Sequence, residues 1–401
     1  MTILPKRTPA LSIQRALTNV VFPNVRLASV ITVRCLSDTS RSSPSTASTR
    51  HTPVLLTEVL DILQPRPNQW YLDATFGEGG YTEAILRTCD CRVIAIDQDP
   101  YAIEKARQMA TQPEYKNRLF PILGPFGDLS QLLQRIKSPT TTDPHLPLPP
   151  NSLAGIVYDI GVCSSQIDEP SRGFSYLQDG PLDMRMASKG SQEVSERDIQ
   201  TRLGRRTLPA SVIVNNFTVD QLAYLFRTYG EERYALRIAQ QIHTYRQKHV
   251  ISTTQQLANI IYDAVPHALR QRTSGAGGGK QRRNPAARVF QSLRIYVNDE
   301  LGELTKSLEY ALDLLMPTGR LAVVTFHSLE DKLVKRTFQK RLSAPTDEVT
   351  SDSSPRLTYR ALTKHVITPS KAETKSNPRA RSAKLRAIER IPSPVNDPSD
   401  S

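Results

Sequence analysis

Asp73-Ala74-Thr75-Phe76-Gly77-Glu78-Gly79-Gly80-Tyr81-Thr82 is the stretch on which the fold turns. The residues leading into it, 70–73, form a short apolar run that reads as a buried strand, and residues 81–87 beyond it carry a helical pattern. A glycine-rich turn between a strand and a helix lets the backbone bend sharply and approach a ligand, while the helix start offers free N–H groups. The same alternation continues outward: strands are expected over 92–97, 119–123 and 155–159, helices over 101–109 and 129–136. Strand and helix in alternation mean an α/β domain with a mostly parallel sheet. A further strand is expected over 320–326, after a helix over 300–315 and a turn at Pro317-Thr318-Gly319. Between these halves the pattern is helical and charged, with periodic segments over 219–228, 231–247 and 254–265. The sheet is therefore interrupted by a helical insertion.

A dinucleotide fingerprint would need glycine at 77, 79 and 82, and position 82 is Thr82. An acid ending the first strand (Asp73), a glycine turn and an acid ending the second (Asp97) suit a nucleoside whose ribose hydroxyls need an acceptor. S-adenosylmethionine fits, because its ammonium also takes carboxylate or carbonyl neighbours and no pyrophosphate has to be held. Such a loop by itself is equally compatible with a structural strand-to-helix turn. The successive strand ends Asp73, Asp97, Gly124-Pro125-Phe126 and Asp159 add weight, since open α/β sheets bind ligands at the carboxyl ends of their strands. Phe126 is placed either to lie against an adenine or to pack in the core.

The chain has 401 residues and a net charge of +13, which favours polyanionic partners, nucleic acid before an anionic membrane surface. No run approaches the roughly 18 apolar residues of a membrane helix, so no membrane insertion is expected. From 1 to 36 there is no acid, whereas Lys6, Arg7, Arg15, Arg26 and Arg34 are basic, and Ile13, Ala16, Leu17, Val20 and Val21 share one helix face. That is the composition of a mitochondrial transit peptide, with a plain basic tail as the alternative, and it points to the mitochondrial matrix. Residues 38–50 are a polar linker, and residues 1–50 together carry seven basic groups and one acid, so the remainder is still basic at +7. Cys89 and Cys91 stand one residue apart with no second pair, which is not zinc spacing; the cysteines read as reduced and structural, and no metal is expected.

Longer motifs make the reading specific. His51-Thr52-Pro53-Val54-Leu55-Leu56, the 73–80 loop, Asp97-Gln98-Asp99-Pro100 and Asp159-Ile160-Gly161-Val162 together resemble the bacterial-type rRNA (cytosine-N4)-methyltransferases, the RsmH/MraW family. The likeness continues through Arg172-Gly173-Phe174-Ser175, residues 179–186, 229–233, 290–295 and 326–331, and ends at 377–382, so it covers about residues 51–390 in order. The resemblance implies a class I S-adenosylmethionine-dependent methyltransferase, a Rossmann-like sheet interrupted by a helical domain. With the composition and patterning above, the chain divides into a transit segment and linker (1–50), a first methyltransferase part (51–169), a helical substrate-recognition insertion (170–283), a second methyltransferase part (284–390) and a tail (391–401). The resemblance places the donor against Gly79, Gly80, Tyr81, Asp97, Phe126, Asp159 and Gln166, and makes small-subunit ribosomal RNA, or the assembling small subunit, the partner. Two positions depart from the family pattern: Tyr81 replaces the usual His, and Cys163 and Ser165 replace Ser and Pro.

A cytosine amine is a poor nucleophile, so a catalyst must hold it in line with the methyl group and accept its hydrogen bonds. Asp159 is the best-placed acceptor, and it is equally a donor-binding residue; the acid-or-amide, Pro-Pro-aromatic box of many amino-methyltransferases is missing. His327 is the second catalytic candidate, or else a hydrogen-bonded structural His. For RNA the informative stretch is 270–288, where Arg270, Arg272, Lys280, Arg282, Arg283 and Arg288 occur with no acid among them. Arg282, Arg283 and Arg288 are the expected phosphate contacts, a solvated loop being the bland reading, and Arg379, Arg381, Lys384 and Arg386 form a second basic cluster. Tyr224, Tyr229 and Tyr234 read as core packing before base stacking. The competing function is an RNA-binding assembly factor with a decayed donor pocket; Asp73, Gly77, Gly79, Gly80 and Asp97 argue against decay.

Overall fold

The computed structural model describes residues 52–134, 151–187, 208–266, 284–343 and 358–392. Strands β1 (Trp70–Asp73), β2 (Arg92–Asp97), β3 (Leu119–Leu123), β4 (Leu153–Asp159), β5 (Leu315–Thr325), β6 (Thr358–Ala361) and β7 (Lys384–Ile391) make one sheet in the order β3-β2-β1-β4-β5-β7-β6. The first five run parallel, and β7 lies antiparallel to both β5 and β6. Because alternate residues of a strand face opposite ways, each central strand is apolar throughout. Leu72, Ile94, Ile96, Ile156, Tyr158, Leu321 and Val323 pack on one face, and Tyr71, Val93, Ala95, Val157, Ala322 and Val324 on the other.

The first face is covered by helices α4 (Leu129–Gln134), α11 (Glu300–Leu314) and α12 (Ser328–Leu342), through Leu132, Leu304, Leu308, Val334 and Phe338. The second is covered by α1 (Leu56–Leu63), α2 (Gly80–Thr88) and α3 (Pro100–Ala110), through Val59, Ile85 and Ala102. A separate core gathers α6 (Ala210–Asn216), α7 (Val219–Gly230), α8 (Ala235–Arg246), α9 (Thr254–Ala264) and α10 (Pro285–Asn298), with Leu222, Phe226, Ile238, Leu257 and Leu293 buried in it. Thr218 and Thr253 start α7 and α9 with capping boxes closed by Gln221 and Gln256. Tyr229 and Tyr234 pack against this helical core.

One sequence expectation is corrected, and one pair of strands is added to those expected. Pro317-Thr318-Gly319 is not a turn ahead of the strand but a bulge within β5, where pairing jumps from Leu153↔Leu315 to Gly155↔Arg320. Thr318 takes a φ of 67°, and a Cβ on Gly319 would lie 2.7 Å from the Leu153 carbonyl oxygen. The antiparallel pair β6 and β7 was not foreseen, because Lys384, Arg386, Glu389 and Arg390 break the apolar run that marks the other strands.

Candidate active site

The parallel strands end together, and their carboxyl ends carry the acids. Asp73 is fully buried; its carboxylate accepts from Thr82 Oγ1 at 2.7 Å and from the Thr75 amide at 3.1 Å. Asp97 accepts from the Gly77 amide and the Asp99 amide, each at 2.8 Å. The Asp159 amide donates to the Thr75 hydroxyl oxygen at 2.7 Å, while the Asp159 Oδ1 is buried without a hydrogen-bond partner among the described residues. The three carboxyls are pushed up by burial, Asp73 to about 6, Asp97 to about 7 and Asp159 to about 8, and the negative charge of Asp73 adds to the rise at Asp97 and Asp159. Such a cluster keeps some protons at neutral pH and favours a cation among its oxygens.

The glycine loop is shaped for close approach. Gly77 and Gly79 have φ of 53° and 84°, which an L side chain rarely adopts. A Cβ on Gly79 would come within 2.6 Å of the Phe76 ring, and one on Gly80 within 2.2 Å of Pro53. Tyr81 turns its ring into the core and donates its hydroxyl to the Val54 carbonyl, so the ring points away from the loop's ligand side. Phe126 follows Gly124, whose amide donates to the Asp97 carbonyl at 2.9 Å, and meets the Tyr158 ring edge-on at 5.8 Å. Asp97 and the expected adenine-side residue thus share one backbone junction.

Gln166, in α5 (Ser164–Asp168), is buried and bonded at both ends of its amide: its nitrogen donates to Asp99 Oδ2 at 2.8 Å and its oxygen accepts from the Cys163 amide at 3.2 Å. It braces the loop after β4 against the loop after β2. Sequence reading missed Thr75, Thr82, Asp99 and Arg172. Asp99 was findable, since an Asp before Pro is a helix N-cap, and it caps α3 through the Tyr101 amide at 3.0 Å. Arg172 was not, because its partner Asp99 lies 73 residues away.

His327 caps α12: its Nδ1 accepts the Glu330 amide at 3.3 Å, and Glu330 Oε2 accepts the Phe326 and His327 amides at 2.8 and 3.1 Å. Its Nε2 lies 2.7 Å from Glu330 Oε1, off the line of a hydrogen bond. Glu300, His327 and Glu330 lie close enough together to share an ion, but Arg294 already holds Glu300 with two bonds of 2.7 and 2.8 Å. Arg282 and Arg283 lie outside the described residues. Arg288 sits on the Glu231 carbonyl at 3.2 Å, near the Glu232 carboxylate at 3.7 Å. In the second basic cluster, Arg379 pairs with Asp168, and Lys384 and Arg386 pair with Asp331.

The strand order, the single reversed strand and the acids at the ends of β1, β2 and β4 around a glycine loop define a class I S-adenosylmethionine-dependent methyltransferase. Residues 48–391 match the MraW methylase family, and the chain belongs to it. Among its relatives is the ribosomal RNA small subunit methyltransferase H of Parvibaculum lavamentivorans, 40% identical over 369 residues that cover 90% of this chain and 94% of the relative. The protein of the same description from Acidiphilium cryptum is 43% identical over 349 residues, covering 85% and 97%. A methyltransferase of Streptococcus mutans solved with S-adenosylhomocysteine overlays with a TM-score of 0.34 at 11% identity, covering 85% of this chain and 99% of that one, a likeness too slight to bear on the assignment. The donor fits the site: a tight glycine turn with positive φ at Gly77 and Gly79, acceptors at Asp97, and at Asp159 a buried oxygen without a partner among the described residues.

Proposed function

We propose that this chain methylates the exocyclic N4 amine of a cytidine in small-subunit ribosomal RNA, in the mitochondrial matrix. The observation that carries the reading is Asp159, a carboxylate at the end of β4 with a buried oxygen that lacks a partner, beside the donor loop. Support for the substrate comes from relatives described as acting on small-subunit rRNA, and for the compartment from the acid-free, Arg-rich residues 1–36, which lie outside the described residues.

S-adenosylmethionine supplies an electrophilic methyl group on a sulfonium. Asp97 holds the ribose end through lone pairs its two amide bonds leave open. Asp159 accepts an N4–H of the target base, which aims the nitrogen lone pair and stabilises the charge that grows there as the N–C bond forms and the S–C bond breaks. The displaced N4 proton passes to the Asp159 carboxylate, which is ionised while the cationic donor is bound and which burial favours in its protonated form once the positive charge has left the donor. The base reaches this pocket unpaired or flipped from its stack. His327 Nδ1 is used by the α12 cap, so it supports the strand end through Glu330.

Mass-spectrometric nucleoside analysis of mitochondrial rRNA with and without the protein tests the reaction: loss of N4-methylcytidine from the small-subunit rRNA is the expected result. Unchanged methylation would leave the RNA-binding assembly factor as the better reading. Fusing residues 1–40 to a fluorescent reporter tests the address, and a diffuse reporter would refute it.

A further inference from the structure

The donor loop meets the rest of the molecule at a buried charge pair that the reaction itself does not use. Asp99, two residues past Asp97 and bonded to it through its amide, takes Arg172 Nη1 on its Oδ2 at 2.9 Å; both side chains are buried. The other arm of the same guanidinium, Nη2, donates to the carbonyls of Met186 at 3.0 Å and Arg185 at 3.3 Å. Its flat faces are flanked by the Tyr101 and Phe174 rings, at 5.6 and 5.9 Å. One rigid fork therefore spans the donor loop and the segment 183–186.

That segment is strained. Met184 is fully buried yet has a φ of 64°, a conformation that persists in a bulky residue only where the surroundings impose it. The constraints are Arg172, whose carbonyl accepts the Met184 amide at 3.1 Å, and Asn298, which takes the Met186 amide at 2.8 Å and donates to the Met184 carbonyl at 2.8 Å. Asn298 is the last residue of α10, and the first turn of α10 carries Arg288, the end of the basic stretch. Gln98, between the two acids, adds a contact from its amide to Met186 Sδ at 3.1 Å.

We infer that Arg172 is a positioning residue that couples donor binding to RNA binding: it orders the strap 183–186, and through Asn298 the helix α10, when the Asp97–Asp99 loop closes on the donor. The inference rests on the RNA reading proposed above. A strained element held between two sites is the kind of two-state part that both ligands bias, and the effect is reciprocal. Donor and RNA each therefore bind more tightly when the other is present.

The test measures affinity of the full-length protein for in vitro-transcribed small-subunit rRNA, with and without saturating S-adenosylhomocysteine, which cannot react. Wild type is expected to bind RNA about fivefold or more tightly with the nucleoside present, the lower end of ordinary coupling. Arg172→Lys keeps a charge on Asp99, but its compact ammonium cannot span both arms. It should retain the fold and S-adenosylhomocysteine affinity while the ratio falls to about one; a purely structural arginine would instead cost thermal stability and leave the ratio at its wild-type value. Asn298→Ala, which leaves the Asp99–Arg172 pair intact, should lower the ratio as well. A wild-type ratio of one, or either folded variant with the wild-type ratio, overturns the inference. Wild type that methylates the rRNA without coupling removes this inference alone, whereas wild type that neither binds nor methylates it removes the RNA reading too.

Discussion

The Asp97 carboxylate accepts the amide of Gly77, twenty residues earlier, at 2.8 Å. The acid that ends β2 thus holds the loop that follows β1, so the residue assigned to the ribose also shapes the cradle beside it. Asp97→Ala should weaken S-adenosylmethionine binding by about 1.5–3 kcal/mol, the scale of a lost hydrogen bond to a charged group, and lower the melting temperature as well. Calorimetric titration of the folded variant checks this; unchanged affinity would remove Asp97 from the donor site.

Asp159→Asn keeps the size and one acceptor but cannot take a proton. Single-turnover methylation should slow by about 100-fold, the lower range for a general base, while donor affinity changes far less. A variant that turns over at the wild-type rate would make Asp159 a binding residue only.

Donor binding should depend on pH with a definite sign. The Asp97 and Asp159 carboxyls are raised to about 7 and 8 by burial, so in the free protein they are partly protonated at neutral pH. A cationic donor favours their ionised forms, so binding expels protons and affinity should rise from pH 6 to pH 8, then level off. Titration in buffers of different ionisation enthalpy reads the protons directly; zero release at pH 7 would contradict the placement of the donor beside these acids. The same sign applies to stability: carboxyls with raised values stabilise the ligand-free fold below about pH 4 and lose that contribution as pH climbs through 6 to 8.

Arg282→Gln with Arg283→Gln should flatten the log–log salt dependence of RNA binding by about 0.7 per residue, as expected for single-strand phosphate contacts. Arg288 differs, since its guanidinium already rests on the Glu231 carbonyl and near Glu232. Adding Arg288→Gln should therefore cost stability more than salt slope, which thermal denataturation beside filter binding separates. A folded double variant with the wild-type slope would direct the search for the RNA path to Arg379 and Arg381.

The parallel core of the fold was legible because its signal is local. Four-to-seven-residue apolar runs ending in Asp73, Asp97 and Asp159, each separated by a helical period, state both the element and the end of the sheet at which chemistry gathers. Gly77, Gly79 and Gly80 likewise announce a tight turn by having no side chain to clash. What the chain could not announce were relationships whose physics acts only on contact. Burial sets the carboxyl of Asp159 near 8, and no neighbour in sequence foretells it. His327 shows its N-cap role only once Glu330 folds back onto it. The strands β6 and β7 carry alternating charges because Glu389 meets Arg320 and Arg360 across the sheet, a pairing that looks like polar loop until the strands are side by side. Arg172 and Asp99 find each other across 73 residues, and the left-handed backbone of Met184 is held from afar by the Arg172 carbonyl and the Asn298 side chain. Local periodicity determined the elements, and the longer motifs that resemble the RsmH/MraW family pointed to the reaction class; the burial and long-range hydrogen bonding of charged groups, which depend on the completed packing, decided how the site is held and how it is joined to its substrate side.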